Sequence, residues 1–217
     1  MAVDIKICGL TSAAALDAAL EAGADLVGLV FYPPSPRHVS LDTARELAAR
    51  AKGRARIVAL TVDADDATLR EIVEAIRPDF IQAHGHESPE RVREIAERFA
   101  TPVIKAVKVR DAGDVRGAEA YGDAAALILY DAKAPENLAE ALPGGNGITF
   151  DWHLMEADGA PRAGFMLSGG LTAENVARAI AVTGAPIVDV SSGVESAPGV
   201  KDARLIRKFI EAARAAR

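Results

Sequence analysis

The chain holds a single cysteine, in Lys6-Ile7-Cys8-Gly9-Leu10, and much later an apolar run, Leu127-Ile128-Leu129-Tyr130, ends on Asp131. A lone thiol has no partner for an internal disulfide, so its value is packing or reactivity. Val3 to Cys8 alternates polar and apolar side chains, a strand pattern that puts Cys8 at the strand's carboxyl end, just before a glycine turn. In parallel α/β folds that end is where chemistry is done. Asp131 occupies the matching place on its own strand, so a thiol and a carboxylate on one rim form a candidate base and acid. An unperturbed thiol has a pKa of about 8.5 and is mostly protonated at neutral pH. Lys6 shares a face with Cys8 and would favour the thiolate by its charge. Each residue also has a plain reading: an inert buried thiol, a structural lysine, an aspartate that caps a helix or pairs with Lys133.

Further polar residues fall at other strand ends. Gln82 and His84 share a face in one segment, and Asp189 and Ser191 share a face in another. If the polar members face inward, Lys6, Cys8, Gln82, His84, Asp131 and Asp189 converge at one end of a barrel. A barrel interior is otherwise a packed core, so that polarity needs a cause. Two segments suit an anion: Ser168-Gly169-Gly170-Leu171-Thr172, and Ser191-Ser192-Gly193 after Asp189. Glycines let a backbone come close to a ligand, and N–H groups at a helix start attract phosphate. Gly169, Gly170, Ser192 and Gly193 are the candidate grip. Gly144-Gly145-Asn146-Gly147 lacks the ending of a nucleotide loop and reads as a flexible turn, part of a lid in the connection from Ala132 to Thr149. Pro33-Pro34-Ser35-Pro36 stiffens a loop that carries Arg37, whose guanidinium fork suits a carboxylate.

The elements that must position these residues alternate along the whole length. Eight strand-like runs, near residues 3–8, 26–31, 56–62, 79–84, 103–109, 125–131, 164–168 and 187–191, are each followed by a helical stretch or a connection. Ser40, Ser88 and Thr172 are N-cap types, and Pro89 suits a first helical position. Leu205, Ile206, Phe209, Ile210 and Ala213 fall on one stripe at helical spacing. Eight such units predict an α/β protein, a (β/α)8 barrel of TIM type, as a single domain over residues 1–217. An open doubly wound sheet is the alternative. Half of the 217 residues are hydrophobic, enough for one sizeable core. The net charge of -6 argues against a nucleic-acid partner but leaves room for a local positive pocket. No signal sequence and no bilayer-length apolar run is present, which predicts a cytoplasmic protein with no membrane partner.

Taken together these motifs resemble the phosphoribosylanthranilate isomerases, enzymes of tryptophan biosynthesis. The resemblance spans nearly the whole chain: Lys6-Ile7-Cys8-Gly9, Ser35-Pro36-Arg37, Gln82-Ala83-His84-Gly85, Asp131-Ala132-Lys133, Gly144-Gly145-Asn146-Gly147, Phe150-Asp151-Trp152, Ser168-Gly169-Gly170-Leu171 and Asp189 to Glu195. It implies a (β/α)8 barrel without metal or organic cofactor that takes a phosphorylated sugar–anthranilate substrate through an Amadori rearrangement. It implies Cys8 as general base, Asp131 as general acid, Arg37 at the anthranilate carboxylate, Gln82, His84 and Asp189 lining the site, and Gly169, Gly170, Ser192 and Gly193 at the phosphate. An acid at Asp131 must start protonated, so the expectation is a raised pKa. Ala83 departs from the larger aliphatic expected there, at a position that should face the helices. Rival readings are a related sugar-phosphate isomerase or a metal-dependent epimerase, a Schiff-base lyase built on Lys105, and a non-catalytic phosphosugar sensor. The oligomeric state is not legible.

Overall fold

In the computed structural model, residues 3–133, 144, 145, 147–156 and 164–216 are described. Eight strands, β1 (Asp4–Cys8), β2 (Leu26–Phe31), β3 (Arg56–Thr61), β4 (Phe80–Ala83), β5 (Val103–Val109), β6 (Leu127–Ala132), β7 (Phe165–Leu167) and β8 (Ile187–Val190), pair in chain order. All pairs are parallel, and β1 pairs with β8 to close the barrel. The helices between them are α1 (Ala13–Ala22), α2 (Leu41–Ala51), α3 (Asp66–Ile76), α4 (Pro89–Phe99), α5 (Ala112–Gly117), α6 (Val176–Thr183) and α7 (Ala203–Ala215). The closed barrel excludes the open-sheet alternative. Among the described residues no helix is long and apolar enough to cross a membrane.

Local sequence explains most element ends. The side chains of Ser40 and Ser88 accept hydrogen bonds from the N–H groups of Thr43 and Arg91, and Pro89 takes the first helical position where its missing N–H costs nothing. The stripe on α7 is buried at Ile206, Phe209, Ile210 and Ala213. Thr172 does not cap α6, which starts later, at Val176. Asn175 instead accepts from Thr172 N and donates to Gly170 O, so residues 172–175 are spent on a turn that braces the preceding glycines. The connection after β6 carries a 3-10 turn over Trp152–Glu156.

Strand alternation separates two environments. The helix-facing residues form the main core and a smaller separate cluster, in which Ala83 lies with Leu69, Ile81, Val92 and Ile95, the side the alternation predicts. The interior of the barrel has an apolar floor of Leu26, Val58, Ile104, Ala106, Leu129, Met166 and Ile187. The registers Lys6↔Leu26 and Lys6↔Asp189 continue that interior set toward the carboxyl ends of the strands. There the side chains become polar.

Candidate active site

One pocket at this end is lined by Cys8, Arg37, Gln82, His84, Asp131, Asp189, Gly169, Gly170, Ser192 and Gly193, all the site residues the resemblance implied, while Lys6 lies beneath it and is not part of the lining. The empty space it spans, including space open to solvent, is about 770 Å³. Cys8 is buried against Val30 and Leu60, with Tyr32 and Val62 packed behind. Its neighbour on β2 is Gly28, where a Cβ would stand 2.8 Å from Sγ. The missing side chain is what lets the thiol sit inside the wall.

Lys6 is fully buried and its Nζ donates to Asp189 Oδ1 at 2.8 Å, while Ser168 Oγ donates to Asp189 Oδ2 at 3.1 Å. Burial opposes the charge on Lys6, but the Asp189 carboxylate outweighs it and holds the ammonium above its ordinary pKa. Lys6 favours the Cys8 thiolate by its charge, as expected, but does not decide the state of the thiol. Burial pushes the thiol up; Lys6 and, more weakly, Lys201 pull it down, Asp189 pushes it up again, and the net direction is up.

The expectation for Asp131 is corrected. Burial alone would keep its carboxyl neutral, as expected, but the Lys108 ammonium and the contact with His84 outweigh it and hold the group down at about 2. Lys108 Nζ donates to Asp131 Oδ2 at 3.0 Å and lies 2.9 Å from His84 Nε2, which is itself 3.3 Å from Asp131 Oδ2. His84 rests on the Gln82 amide through Nδ1 at 2.8 Å, and burial followed by the Lys108 charge lowers its pKa. So His84 is neutral at neutral pH.

Lys108, not Lys133, is the partner of Asp131, and the sequence reading missed it. The signal was available: Ile104, Ala106 and Lys108 share a face of β5, and Lys108 stands in register with Asp131. The lysine that did attract notice, Lys105, has the opposite parity. It points toward the helices, where Nζ donates to Glu87 Oε2 and Gly85 O, both at 2.7 Å, and it does not line the pocket. That geometry removes the Schiff-base reading. Among the described residues no group of three or more His, Cys, Asp or Glu side chains is placed to hold a metal ion.

The two loops after β7 and β8 meet on the far side of the pocket. Gly169 and Gly170 both have positive φ, +88° and +59°, a backbone that brings their peptide groups to the surface of the cavity and that a side chain would strain. Ser192 and Gly193 open a 3-10 turn over Ser192–Val194. Arg37 stands at the rim, but its fork is not open as expected: Nε and Nη2 donate to Glu195 Oε1 and Oε2 at 2.8 and 2.9 Å. Gly144, Gly145 and Gly147 also line the pocket; the rest of the expected lid, residues 134–143 and Asn146, lies outside the described residues.

Comparison with known proteins gives a consistent result. A family model described as N-(5'-phosphoribosyl)anthranilate (PRA) isomerase matches residues 5–212. The N-(5'-phosphoribosyl)anthranilate isomerase of Bradyrhizobium sp. (strain ORS 278) is 57% identical over 216 residues, covering 100% of this chain and 97% of the relative. That of Brucella canis is 54% identical over 212 residues, covering 98% and 94%. Among solved structures, the phosphoribosyl anthranilate isomerase of Thermotoga maritima superposes with a TM-score of 0.86 at 38% identity, covering 98% of this chain and 99% of that one. A phosphoribosyl anthranilate isomerase in complex with reduced 1-(o-carboxyphenylamino)-1-deoxyribulose 5-phosphate gives 0.84 at 36% identity, with coverage of 98% and 99%.

Proposed function

The chain belongs to the N-(5'-phosphoribosyl)anthranilate isomerase family, and on that premise we propose that Cys8 and Asp131 are the two proton carriers of its Amadori rearrangement. The protein is an isomerase of tryptophan biosynthesis. Its reaction turns N-(5-phosphoribosyl)anthranilate into 1-(2-carboxyphenylamino)-1-deoxyribulose 5-phosphate. Asp131, protonated, gives its proton to the furanose ring oxygen as the C1–O bond breaks and the aniline nitrogen forms the C1=N iminium. The Cys8 thiolate then removes the C2 proton, and those electrons neutralise the iminium to an enolamine. Loss of the C2 hydroxyl proton and protonation at C1 complete the ketone. Each positioned proton transfer contributes about 100- to 10,000-fold.

The resting charges set the order of events. In the free site the carboxyl is ionised and the thiol is protonated, so the proton count is right but its placement is reversed. A substrate carrying a phosphate and a carboxylate brings negative charge to the pocket and raises Asp131 toward the acid form. Ring opening then creates a cation beside Cys8, which favours the thiolate. The backbone around Gly169, Gly170, Ser192 and Gly193 holds the phosphate, Arg37 meets the anthranilate carboxylate, and Gln82, His84 and Asp189 keep the polar wall in order. We read residues 1–217 as one domain, acting in the cytoplasm on this soluble substrate.

The observation that carries this reading is the single pocket joining Cys8, Asp131, Arg37 and two glycine loops. The test is loss of anthranilate fluorescence on turnover of N-(5-phosphoribosyl)anthranilate by the parent, Cys8→Ala and Asp131→Asn proteins. Both variants should lose about 100-fold or more in kcat while still binding the reduced product analogue. An Asp131→Asn enzyme with near-parental kcat removes the acid role, and a Cys8→Ala enzyme with near-parental kcat removes the base.

A further inference from the structure

We propose that Glu195 is a positioning residue for Arg37, locking the guanidinium so that a substrate carboxylate is met through Nη1 alone. The inference deepens the reading of Arg37 given above and rests on it. A guanidinium has five N–H donors. Nε–H goes to Glu195 Oε1 at 2.8 Å, and the two hydrogens of Nη2 go to Glu195 Oε2 at 2.9 Å and to Gly145 O at 3.3 Å. Two donors remain, both on Nη1, and no hydrogen bond among the described residues uses them. Nη1 lies against Gly145, where a Cβ would stand 2.6 Å away, and Gly145 and Arg37 both line the pocket.

Glu195 is built into the fold as a shared counter-ion. It sits on β9 (Glu195–Ala197), which pairs with β10 (Val200–Lys201), directly after the Ser192–Val194 turn. Its side chain is buried, and Oε1 also accepts from the buried Lys201 Nζ at 2.7 Å. Oε2 accepts from Gly199 N at 3.2 Å. Lys201 in turn donates to Ser191 O and Oγ at 3.0 and 3.2 Å, and Ser191 Oγ donates to Cys8 O at 3.1 Å. Burial works against a charged Glu195, but Arg37 and Lys201 outweigh it and hold the carboxyl below its ordinary range. One carboxylate thus fixes the arginine at one side of the pocket to the strand that carries the thiol.

Replacing it should loosen one half of the substrate only. In Glu195→Gln, affinity for the reduced product analogue should fall about tenfold or more, the scale of a charge-assisted hydrogen bond. KM should rise more than kcat falls, and the competitive inhibition constant of inorganic phosphate should stay within about twofold of the parent. Arg37→Ala is measured beside it. If Arg37→Ala weakens the analogue and Glu195→Gln does not, the arginine reading stands and the clamp is overturned. If Arg37→Ala has no effect, the arginine reading itself fails and takes the clamp with it. If Glu195→Gln loses analogue and phosphate together, Glu195 only supports the hairpin and the proposal is overturned. Should Glu195→Gln not fold, Glu195→Gln with Lys201→Met removes the orphaned cation and is put through the same measurements.

Discussion

Cys8 and Asp131 show that a residue's type is not its state. The proposed acid–base pair needs a neutral carboxyl and a charged sulfur, and the free site holds the reverse because burial keeps the thiol protonated while Lys108 and His84 overcome burial at the carboxyl. Lys6 pulls the thiol down but not far enough to offset burial, and Asp189 works against it; Lys108 has Asp131 as its closest acid and ionises it. Lys108→Met should therefore raise the Asp131 pKa from about 2 by a unit or more, each unit being about 1.4 kcal/mol. Arg at the same position should keep it low. The carboxyl-carbon NMR shift of Asp131 followed through a pH titration checks this, and a midpoint unmoved by Lys108→Met refutes it. The Lys6–Asp189 pair makes a second prediction. Both partners are buried, so Lys6→Met leaves a lone carboxylate in the barrel and should cost about 3–5 kcal/mol in urea unfolding. Adding Asp189→Leu should return part of that loss, since the pair as a whole is worth less than either half alone.

At the scale of the element, what was readable was periodicity. Strand alternation assigned Cys8, Gln82, Asp131 and Asp189 to the interior and Ala83 to the helix side, because a pleat leaves no freedom in that choice. The same rule distinguishes Lys105 from Lys108, and applying it to β5 would have found the partner of Asp131. The start of α6 was misread because Thr172 is a good cap in isolation, whereas Asn175 commits residues 172–175 to a turn bonded to Gly170. Gly28 carried no visible signal, being one glycine inside a strand. Its role exists only because Cys8 lies beside it, 20 positions earlier in the chain. Gly28→Ala should strain that contact, costing about 1–3 kcal/mol of stability. It should lower kcat more than it changes KM, since the displaced atom is the sulfur and not the glycine loops after β7 and β8. Steady-state kinetics with a thermal melt would check both halves, and an unchanged kcat would show that the wall yields instead of the thiol.

Across the whole molecule, the fold and the membership of the site were legible while its charges were not. Eight repeating units announce a barrel, and a barrel gathers its strand ends. A pKa, however, depends on distances between residues far apart in sequence: Lys6 and Asp189 are 183 positions apart, Lys108 and Asp131 are 23 apart, and Arg37 and Glu195 are 158 apart. Those distances are fixed only once the barrel closes, and the closed state should leave its mark on stability against pH. His84 has a folded pKa below the ordinary histidine value of 6.5, so on acidification the unfolded chain takes up a proton that the folded chain refuses. Stability from this group is complete above that pH and falls as pH drops below it toward the folded pKa. Asp131 behaves likewise at lower pH. Its folded pKa of about 2 lies under the ordinary aspartate value of 3.8, so roughly 2 kcal/mol present above pH 4 is lost as pH falls to about 2. Urea unfolding of the parent across pH 8 to 3 should show a loss that begins near pH 6.5 and steepens near 4. His84→Gln should flatten the first part and Asp131→Asn the second. A His84→Gln protein whose stability still falls with the parental slope between pH 6.5 and 5 would mean that the imidazole is charged inside the barrel, and the neutral wall beside Asp131 would have to be abandoned.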